Sequence, residues 1–388
     1  MQGTLNNMDN IVILGSYAPS LRNFRGELIE ALNCGDAVVH AVAPNLNSSK
    51  ATAEWLKERN IPIHDIDISR AGLNPLVDLI SFFKLTMLLK HLKPKLFIGY
   101  TIKPVVWGIM AAWIARTPKR VALITGLGYA FTDPGNLKRI AVRKAAYFLY
   151  KHSLKRSTHI FFQNSDDRDE FIRLGLVPEN IPTFVVNGSG VNVDTFRETP
   201  LPKHPIRFLL ISRLLGDKGI REYAQAAAII RRENPDIEFH LVGGLDTNPN
   251  SISRSEIELW QKKGDIVWHG EAEDVRPHIA LSHVYVLPSY REGTPRTVLE
   301  SMAMGRPILT SDAPGCRDTV VNGKNGFLIR PKDTEDLVLG MQKFINNPDS
   351  IRQMGQESRK IAENKYDVHI VNSSMISSMG WSPKKTHE

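Results

Sequence analysis

Four side chains in the second half of the chain have the types and spacing to handle a phosphorylated, hydroxyl-rich ligand. Arg213 and Lys218 stand five residues apart in ISRLLGDKG, with Gly216 and Gly219 allowing close backbone approach. Two cations at the carboxyl end of a strand suit a diphosphate, arginine as a bidentate fork and lysine as a point charge. Glu292 and Glu300 have seven residues between them in YREGTPRTVLESMAMGRP, 290–307. Carboxylates repel phosphate, so this pair is expected to accept hydrogen bonds from hydroxyls flanking it. A diphosphate with hydroxyl-rich rings on both sides is a nucleotide sugar. For any one of the four residues taken alone, a solvated surface charge is the competing reading.

The elements that must position these residues are legible. HVYVLPS, 283–289, is a short apolar run ending at Pro288 and reads as a buried strand. A helix is expected from Pro295, with Thr294 as N-cap and proline at the first helical position. Val298, Leu299, Met302 and Ala303 form its apolar side, and Gly305 and Pro307 stop it. Glu292 then lies in the loop and Glu300 at the edge of the apolar face. Ligands of open parallel sheets bind at the carboxyl ends of strands, where this loop lies.

The same pattern recurs along the chain. NIVILGS (10–16), AVVHAVAP, KLFIGYT (95–101), RVALITG and THIFFQN read as strands of a first half, with a helix around Arg25 to Asn33. The Pro-rich TPLPKHP, 199–205, reads as a linker. After it come IRFLLIS (206–212), a helix from about Gly219 to Glu233, FHLVGG, DIVWHG, VYVLPS, RPILTS and GFLIR. Strands alternating with helices predict an α/β chain with two Rossmann-like parallel-sheet domains. The expected divisions are 1–196, a linker at 197–205, 206–363, and a C-terminal helix and tail at 364–388 packing back on the first domain. GSYAPSLRNFRG after the first strand lacks GxGxxG, so neither a dinucleotide fingerprint nor a P-loop is present.

Composition narrows the classes. At 388 residues, with 42% hydrophobic and 23% charged residues, the chain is long and apolar enough for two globular cores. Cys34 and Cys316 have no metal or CxxC spacing and are expected as free thiols in a reducing compartment. MQGTLNNMDN has no signal-peptide pattern, and the stretch 76–96 is interrupted by Asp78, Lys84 and Lys90, which argues against a membrane span. The net charge of +8 is uneven: 134–165 has no acidic residue but includes Lys138, Arg139, Arg143, Lys144, Lys151, Lys155 and Arg156. Interleaved with Phe148, Leu149 and Tyr150, these suit either a basic amphipathic helix on an anionic membrane or a plain solvated face. No recognition-helix, zinc or RNP-like pattern supports nucleic acid as a partner. His40, His64, His240 and His269 lie in or beside strands without ligand spacing and read as structural. Asp166 and Asp167 begin a helix, and no DxD cluster ends a strand, so no metal is expected.

Taken together, SYREGTPRTVLESMAMGRPIL, SRLLGDKG, LVGG and GCRDTVVNGKNGFLI resemble the retaining glycosyltransferases of GT-B family 4. VVNGSGVNVDTF is similar to that family's interdomain link. The resemblance covers nearly the whole chain and is most specific from Arg207 to Ile329. ISRAGLNPL, TGLGYAF and GGLDTNPNSI are similar to bacterial members that extend polyprenyl diphosphate-linked oligosaccharides.

The resemblance implies a GT-B fold whose two domains face a central cleft, and it implies roles at matching positions. Arg213 and Lys218 would neutralise the leaving diphosphate, Glu292 would contact the donor sugar and Glu300 the ribose. The main chain from Gly293 through Thr294 and Pro295 to Arg296, with Gly15 and Ser16 of the first domain, would line the donor phosphates. Gly243 begins a loop expected to select the sugar. Tyr17, Arg22, Arg25, Arg70, Lys103, Gly126 and Gly128 are acceptor candidates, with surface ion pairing as the alternative for each arginine. Lys138, Arg139, Arg143, Lys144 and Lys151 would face the membrane. Family members often carry a histidine after a later first-domain strand; Thr101, Ile102 and Lys103 stand there instead, so no catalytic histidine is assigned. The implied partners are a UDP-sugar, UDP-N-acetylgalactosamine ahead of UDP-glucose, galactose or N-acetylglucosamine, and a lipid-linked saccharide, with no cofactor. The implied location is cytoplasmic, peripheral on the inner face of the plasma membrane. A nucleotide-sugar epimerase or synthase on the same architecture, and a non-catalytic binding module, are the rival functions.

Overall fold

The computed structural model describes all residues except 1–7, 69–74, 127–136, 204, 247, 249 and 383–388. Arg70 and Gly128 therefore lie outside the described residues. The chain divides into two compact units, Met1–Ser189 with Val371–Glu388, and Gly190–Ile370.

The first unit is built on a parallel sheet of β1 (Asp9–Leu14), β2 (Ala37–Ala43), β3 (Ile63–Asp65), β4 (Leu96–Tyr100), β5 (Lys119–Ile124), β6 (His159–Phe162) and β7 (Thr183–Val185). Their order is β3-β2-β1-β4-β5-β6-β7. Helices α1 (Ala18–Leu32), α2 (Lys50–Glu58), α3 (Pro75–Leu92), α4 (Ile109–Ile114), α5 (Leu137–Leu154) and α6 (Ser165–Arg173) cover its faces. Alternation along β1 explains the layering. Ile11 and Ile13 pack into a core shared with α1 and α2, while Val12 and Leu14 pack into one shared with α3 to α6. A strand buried on both faces reads as a continuous apolar run, as NIVIL does.

The second unit holds β8 (Arg207–Ile211), α7 (Ile220–Glu233), β9 (Glu238–Val242), α8 (Arg254–Lys262), β10 (Val267–Trp268), α9 (Arg276–Ala280) and β11 (Val284–Leu287). It continues with α10 (Arg296–Ala303), β12 (Ile308–Ser311), β13 (Gly326–Ile329), α11 (Thr334–Asn346) and α12 (Asp349–Ile361). The sheet is parallel, in the order β10-β9-β8-β11-β12-β13. The last helix, α13 (Val368–Ser378), carries the chain back, and Met375, Met379 and Trp381 join the core of the first unit.

Three expectations need correction. The first helix begins at Ala18 rather than near Arg25, because Pro19 sits in its first turn, where a missing N–H costs nothing. Helix α10 begins at Arg296 with Pro295 itself as N-cap in extended backbone, so Thr294 is not the cap. The division between units falls after Ser189, before the Pro-rich linker. Val191 N–H donates to the Tyr366 carbonyl (2.8 Å) and Val368 N–H to the Val191 carbonyl (3.0 Å), which fixes this stretch to the second unit. The Pro-rich segment is likewise held there. Arg306, fully buried, donates to the Thr199 carbonyl (2.8 Å), and His283 Nε2 lies 3.1 Å from the Pro202 carbonyl.

Candidate functional site

In the second sheet β8, the first strand, lies between β9 and β11. Successive connections leave in opposite directions from that point, and such a topological switch opens a crevice at the carboxyl ends of the strands. The loop after β8 carries Arg213 and then a 3-10 turn, Gly216–Lys218. The loop after β11 carries Glu292 and enters α10. The two loops touch: Lys218 Nζ lies 2.5 Å from Glu292 Oε1, and Tyr290 N–H donates to the Asp217 carbonyl at 2.9 Å. Ser289 Oγ donates to the same Glu292 oxygen (2.8 Å), while Glu292 N–H donates to the Pro314 carbonyl (3.0 Å) beyond β12.

Glu300 is placed by packing. Val298, Leu299, Met302 and Ala303 are fully buried, as their spacing predicts, and they turn Glu300 inward to 6% exposure. The Tyr285 hydroxyl bridges the Ile211 carbonyl (2.9 Å) and the Thr297 hydroxyl (2.6 Å), which pins α10 to the end of β8. Arg296 Nε donates to Glu300 Oε1 at 2.8 Å. Burial pushes the Glu300 carboxyl above its ordinary range, and Arg296 opposes that rise. Arg213 differs from the other three. Its side chain is about half exposed and pairs with Asp246 at 3.2 Å, whereas those of Lys218 and Glu292 are largely enclosed. Gly243 follows β9, its N–H donating to the Gly270 carbonyl at 2.7 Å. A Cβ on it would come within 1.9 Å of the Ser212 carbonyl oxygen, so it too lies against the end of β8.

The structure thus joins Lys218 to Glu292 directly and sets Arg213, Gly243 and α10 around the same strand ends. Sequence reasoning missed Ser289, Asp246, Thr297 and Gly315, the supports of the named residues. A Cβ on Gly315 would meet the carbonyl oxygens of Glu292 and Gly293, both at 2.3 Å. Its only sequence signal is its place in APGCRD.

The first unit has its own switch point, with β1 between β2 and β4. Gly15, Ser16 and Tyr17 follow β1. Ser16 Oγ lies 2.9 Å from Thr101 Oγ1, and Thr101, at the end of β4, holds a left-handed φ of 70° that side chains other than glycine rarely adopt. A Cβ on Gly15 would collide with the Tyr100 hydroxyl, which bonds Ser20 Oγ at 2.8 Å. A cavity of about 570 Å³ opens here, lined by Ser16, Tyr17, Asn45, Ser49, Asp67 and Val77.

Other acceptor candidates fare differently. Arg22 and Arg25 both lie in α1, which starts at Ala18. Arg22 is exposed, but Arg25 is buried with its guanidinium 5.3 Å from the centre of the Tyr100 ring. Lys103 pairs with Asp78 at 2.7 Å, both side chains largely enclosed. Gly126 follows β5 with φ of 130°. On α5, Lys144 and Lys151 are exposed and Arg143 is half-buried, while the side chains of Lys138 and Arg139 lie outside the described residues.

The four histidines read as structural form two pairs, His40 Nδ1 to His64 Nε2 at 3.0 Å and His240 Nδ1 to His269 Nε2 at 2.7 Å. Burial lowers both His40 and His240 to about 4, so both are neutral near neutral pH. Cys34 and Cys316 are free thiols. Among the described residues no group of three or more His, Cys, Asp or Glu is placed to hold a metal ion, and no helix is long and apolar enough to cross a membrane.

The description Glycosyl transferases group 1 matches residues 193–361, and Glycosyl transferase 4-like matches 26–164. The N,N'-diacetylbacillosaminyl-diphospho-undecaprenol alpha-1,3-N-acetylgalactosaminyltransferase of Campylobacter jejuni is 30% identical, over 84% of this chain and 87% of its own length. The UDP-Gal:alpha-D-GlcNAc-diphosphoundecaprenol alpha-1,3-galactosyltransferase of Escherichia coli is 25% identical, over 70% of this chain and 71% of its own. Among solved structures, Anabaena HepE in complex with UDP and glucose superposes with a TM-score of 0.75 at 17% identity, covering 96% of this chain and 99% of that one.

Proposed function

The chain belongs to the group 1 glycosyltransferases and has the GT-B fold, and from that membership we propose that it moves an N-acetylhexosamine or hexose from a UDP-sugar to a polyprenyl diphosphate-linked saccharide. The donor is UDP-N-acetylgalactosamine, anomeric configuration is retained, and the reaction assigns its leaving-group charge to side chains rather than to a metal. The observation that carries this is the meeting of Lys218, Glu292 and the end of β8 at the switch point of the second sheet, with Arg213 presented beside them and Glu300 buried behind. The names of the Campylobacter and Escherichia relatives support a diphosphoundecaprenol-linked acceptor, and the HepE complex supports UDP.

Breaking an anomeric bond to a nucleoside diphosphate builds oxocarbenium-like charge on the sugar and negative charge on the departing phosphate. Arg213 and Lys218 neutralise the phosphate, and such preorganised charge is a dominant catalytic effect. Lys218 leaves Glu292 for the diphosphate, which frees the Glu292 carboxylate to accept from the sugar hydroxyls. Glu300, held by Arg296, accepts from the ribose hydroxyls. The first unit, through Tyr17 and the adjoining cavity, takes the acceptor. The exposed Lys144 and Lys151 favour the anionic inner surface of the plasma membrane.

Nucleotide release from a panel of UDP- and GDP-sugars, with and without a polyprenyl diphosphate-linked glycan, tests the reading. Release from one sugar nucleotide that requires the glycan and is lost in Glu300→Ala is expected. Glycan-independent turnover would point instead to an epimerase or synthase, and unaltered nucleotide binding by Glu300→Ala would leave Glu300 a buried structural carboxylate with no part in holding the nucleotide.

A further inference from the structure

Helix α3 is apolar on both sides. Its inner residues Leu85 and Leu89 are fully buried in the first-unit core. Its outer side presents Leu79 (44% exposed), Ile80 (56%), Phe83 (58%) and Met87 (73%), a stripe at i, i+1, i+4 and i+8 that stays on one face for about 12 Å. A helix apolar all round is ordinarily covered on all sides, and a contiguous exposed apolar patch marks an interaction surface.

Charge decides what covers it. Exposed Lys84 and Lys90 flank the stripe on α3 itself. Helices α4 and α5, on the same face of the sheet, add exposed Trp113 and Phe148, with Lys144 and Lys151 one helical turn before and after Phe148. The three helices carry a single carboxylate, Asp78, which is enclosed against Lys103. A second copy of this chain would press like charges together, whereas anionic lipid headgroups neutralise them and the acyl boundary takes the stripe. Position supports the same partner. Val77, less than one turn before Ile80, lines the cavity beside Ser16 and Tyr17, so the stripe begins at the cavity wall.

We infer that the outer face of α3, flanked by the lysines of α3 and α5, docks on an anionic phospholipid bilayer and sets the first-unit cavity at the level of the headgroups. Resting on the lipid-linked acceptor proposed above, this makes α3 the device that brings an embedded diphosphate to the cavity. The surface lies on the membrane, since no described helix is long and apolar enough to cross it.

The test is pelleting of the full chain with vesicles of phosphatidylcholine alone or mixed equally with phosphatidylglycerol. The parent is expected to pellet with the anionic vesicles. Ile80→Asp with Phe83→Asp should lower the bound fraction about tenfold or more, and Lys144→Glu with Lys151→Glu should erase the preference for anionic lipid. The substituted positions are exposed, and an unchanged melting temperature confirms that folding is intact. Turnover separates this inference from the reaction it rests on: the α3 variant should retain activity on a short-chain, water-soluble acceptor and lose it on one embedded in vesicles. Where no acceptor supports turnover, the transferase reading fails while the pelleting result still decides the docking face. A parent that pellets with neither vesicle overturns the inference. So does an α3 variant that pellets as well as the parent, or a parent dimer in solution that the α3 variant splits.

Discussion

Burial raises the Glu300 carboxyl even with Arg296 donating to it. For an acid whose folded pKa lies above its unfolded value, the unfolded chain ionises first, so stability falls as pH rises from the ordinary 4.5 through the raised folded value. Ionising the buried Glu300 therefore costs stability. Glu300→Gln is expected to melt higher than the parent near neutrality, with the gain shrinking below the ordinary carboxylate range. The same change should lower kcat/KM about ten- to a hundredfold, on the scale of about 1.5–3 kcal/mol for a charge-assisted hydrogen bond. Melts at acidic and neutral pH beside nucleotide-release kinetics check both; equal melting at neutral pH would mean that Arg296 offsets the burial fully. The two cations should separate in another way. Arg213 is half exposed and pairs with Asp246, so Arg213→Ala should change stability by less than about 0.5 kcal/mol while lowering kcat about a hundredfold. Lys218→Ala should match that kinetic loss and also destabilise, because it removes a largely enclosed ion pair with Glu292. Urea unfolding of both variants decides it, and equal stability losses would refute the distinction. The four charged residues were legible because type and spacing expose them. Asp246 and Ser289 were not, because a partner brought close only by folding leaves no local pattern.

At the scale of elements, α10 shows what periodicity can and cannot give. Its buried side follows from spacing alone, since one helical face must meet the core. Its start does not, because proline serves equally as first helical residue and as the extended residue before it, and here the backbone takes the second form. The brace under the Glu292 loop is harder still. Gly315 and Gly323 share left-handed backbone, with φ of 74° and 79°, yet a Cβ on Gly323 meets nothing within 4 Å while one on Gly315 meets two carbonyl oxygens. Gly323→Ala should therefore cost about 1–2 kcal/mol, the strain of that backbone alone, with activity intact. Gly315→Ala adds a collision that must move Glu292, and should cost more stability and weaken donor binding. Denaturant unfolding with nucleotide titration compares the two. Matching losses in both would mean that the loop yields freely and does not position Glu292.

Over the whole molecule, the alternation of strands and helices made two parallel sheets readable, because strands buried on both faces leave near-continuous apolar runs. The division into compact units after Ser189 was not readable. Proline marked a linker by composition, but the segment is held to the second unit by buried Arg306, whose reach across a hundred residues has no local signature. The return of the chain to the first unit gives the largest consequence at this scale. Met375 and Met379 are buried, Trp381 nearly so, and Lys119 Nζ donates to the Met379 carbonyl at 2.8 Å. At about 1.5–3 kcal/mol for each large side chain buried, the three contribute about 5–9 kcal/mol as an upper estimate. That is comparable to the entire stability of an ordinary domain, about 5–15 kcal/mol. A chain ending at Ile370 should therefore lose the cooperative melting of the first unit, while the second unit, whose core contains none of the three, still melts and binds nucleotide. Met379→Ala is the graded version and should cost about 2–5 kcal/mol in the first unit alone. Calorimetry paired with hydrogen exchange resolved by unit distinguishes the outcomes: uniform loss of protection in both units would show that the returning segment stabilises the molecule as one cooperative body, and unchanged melting would show that its burial contributes little.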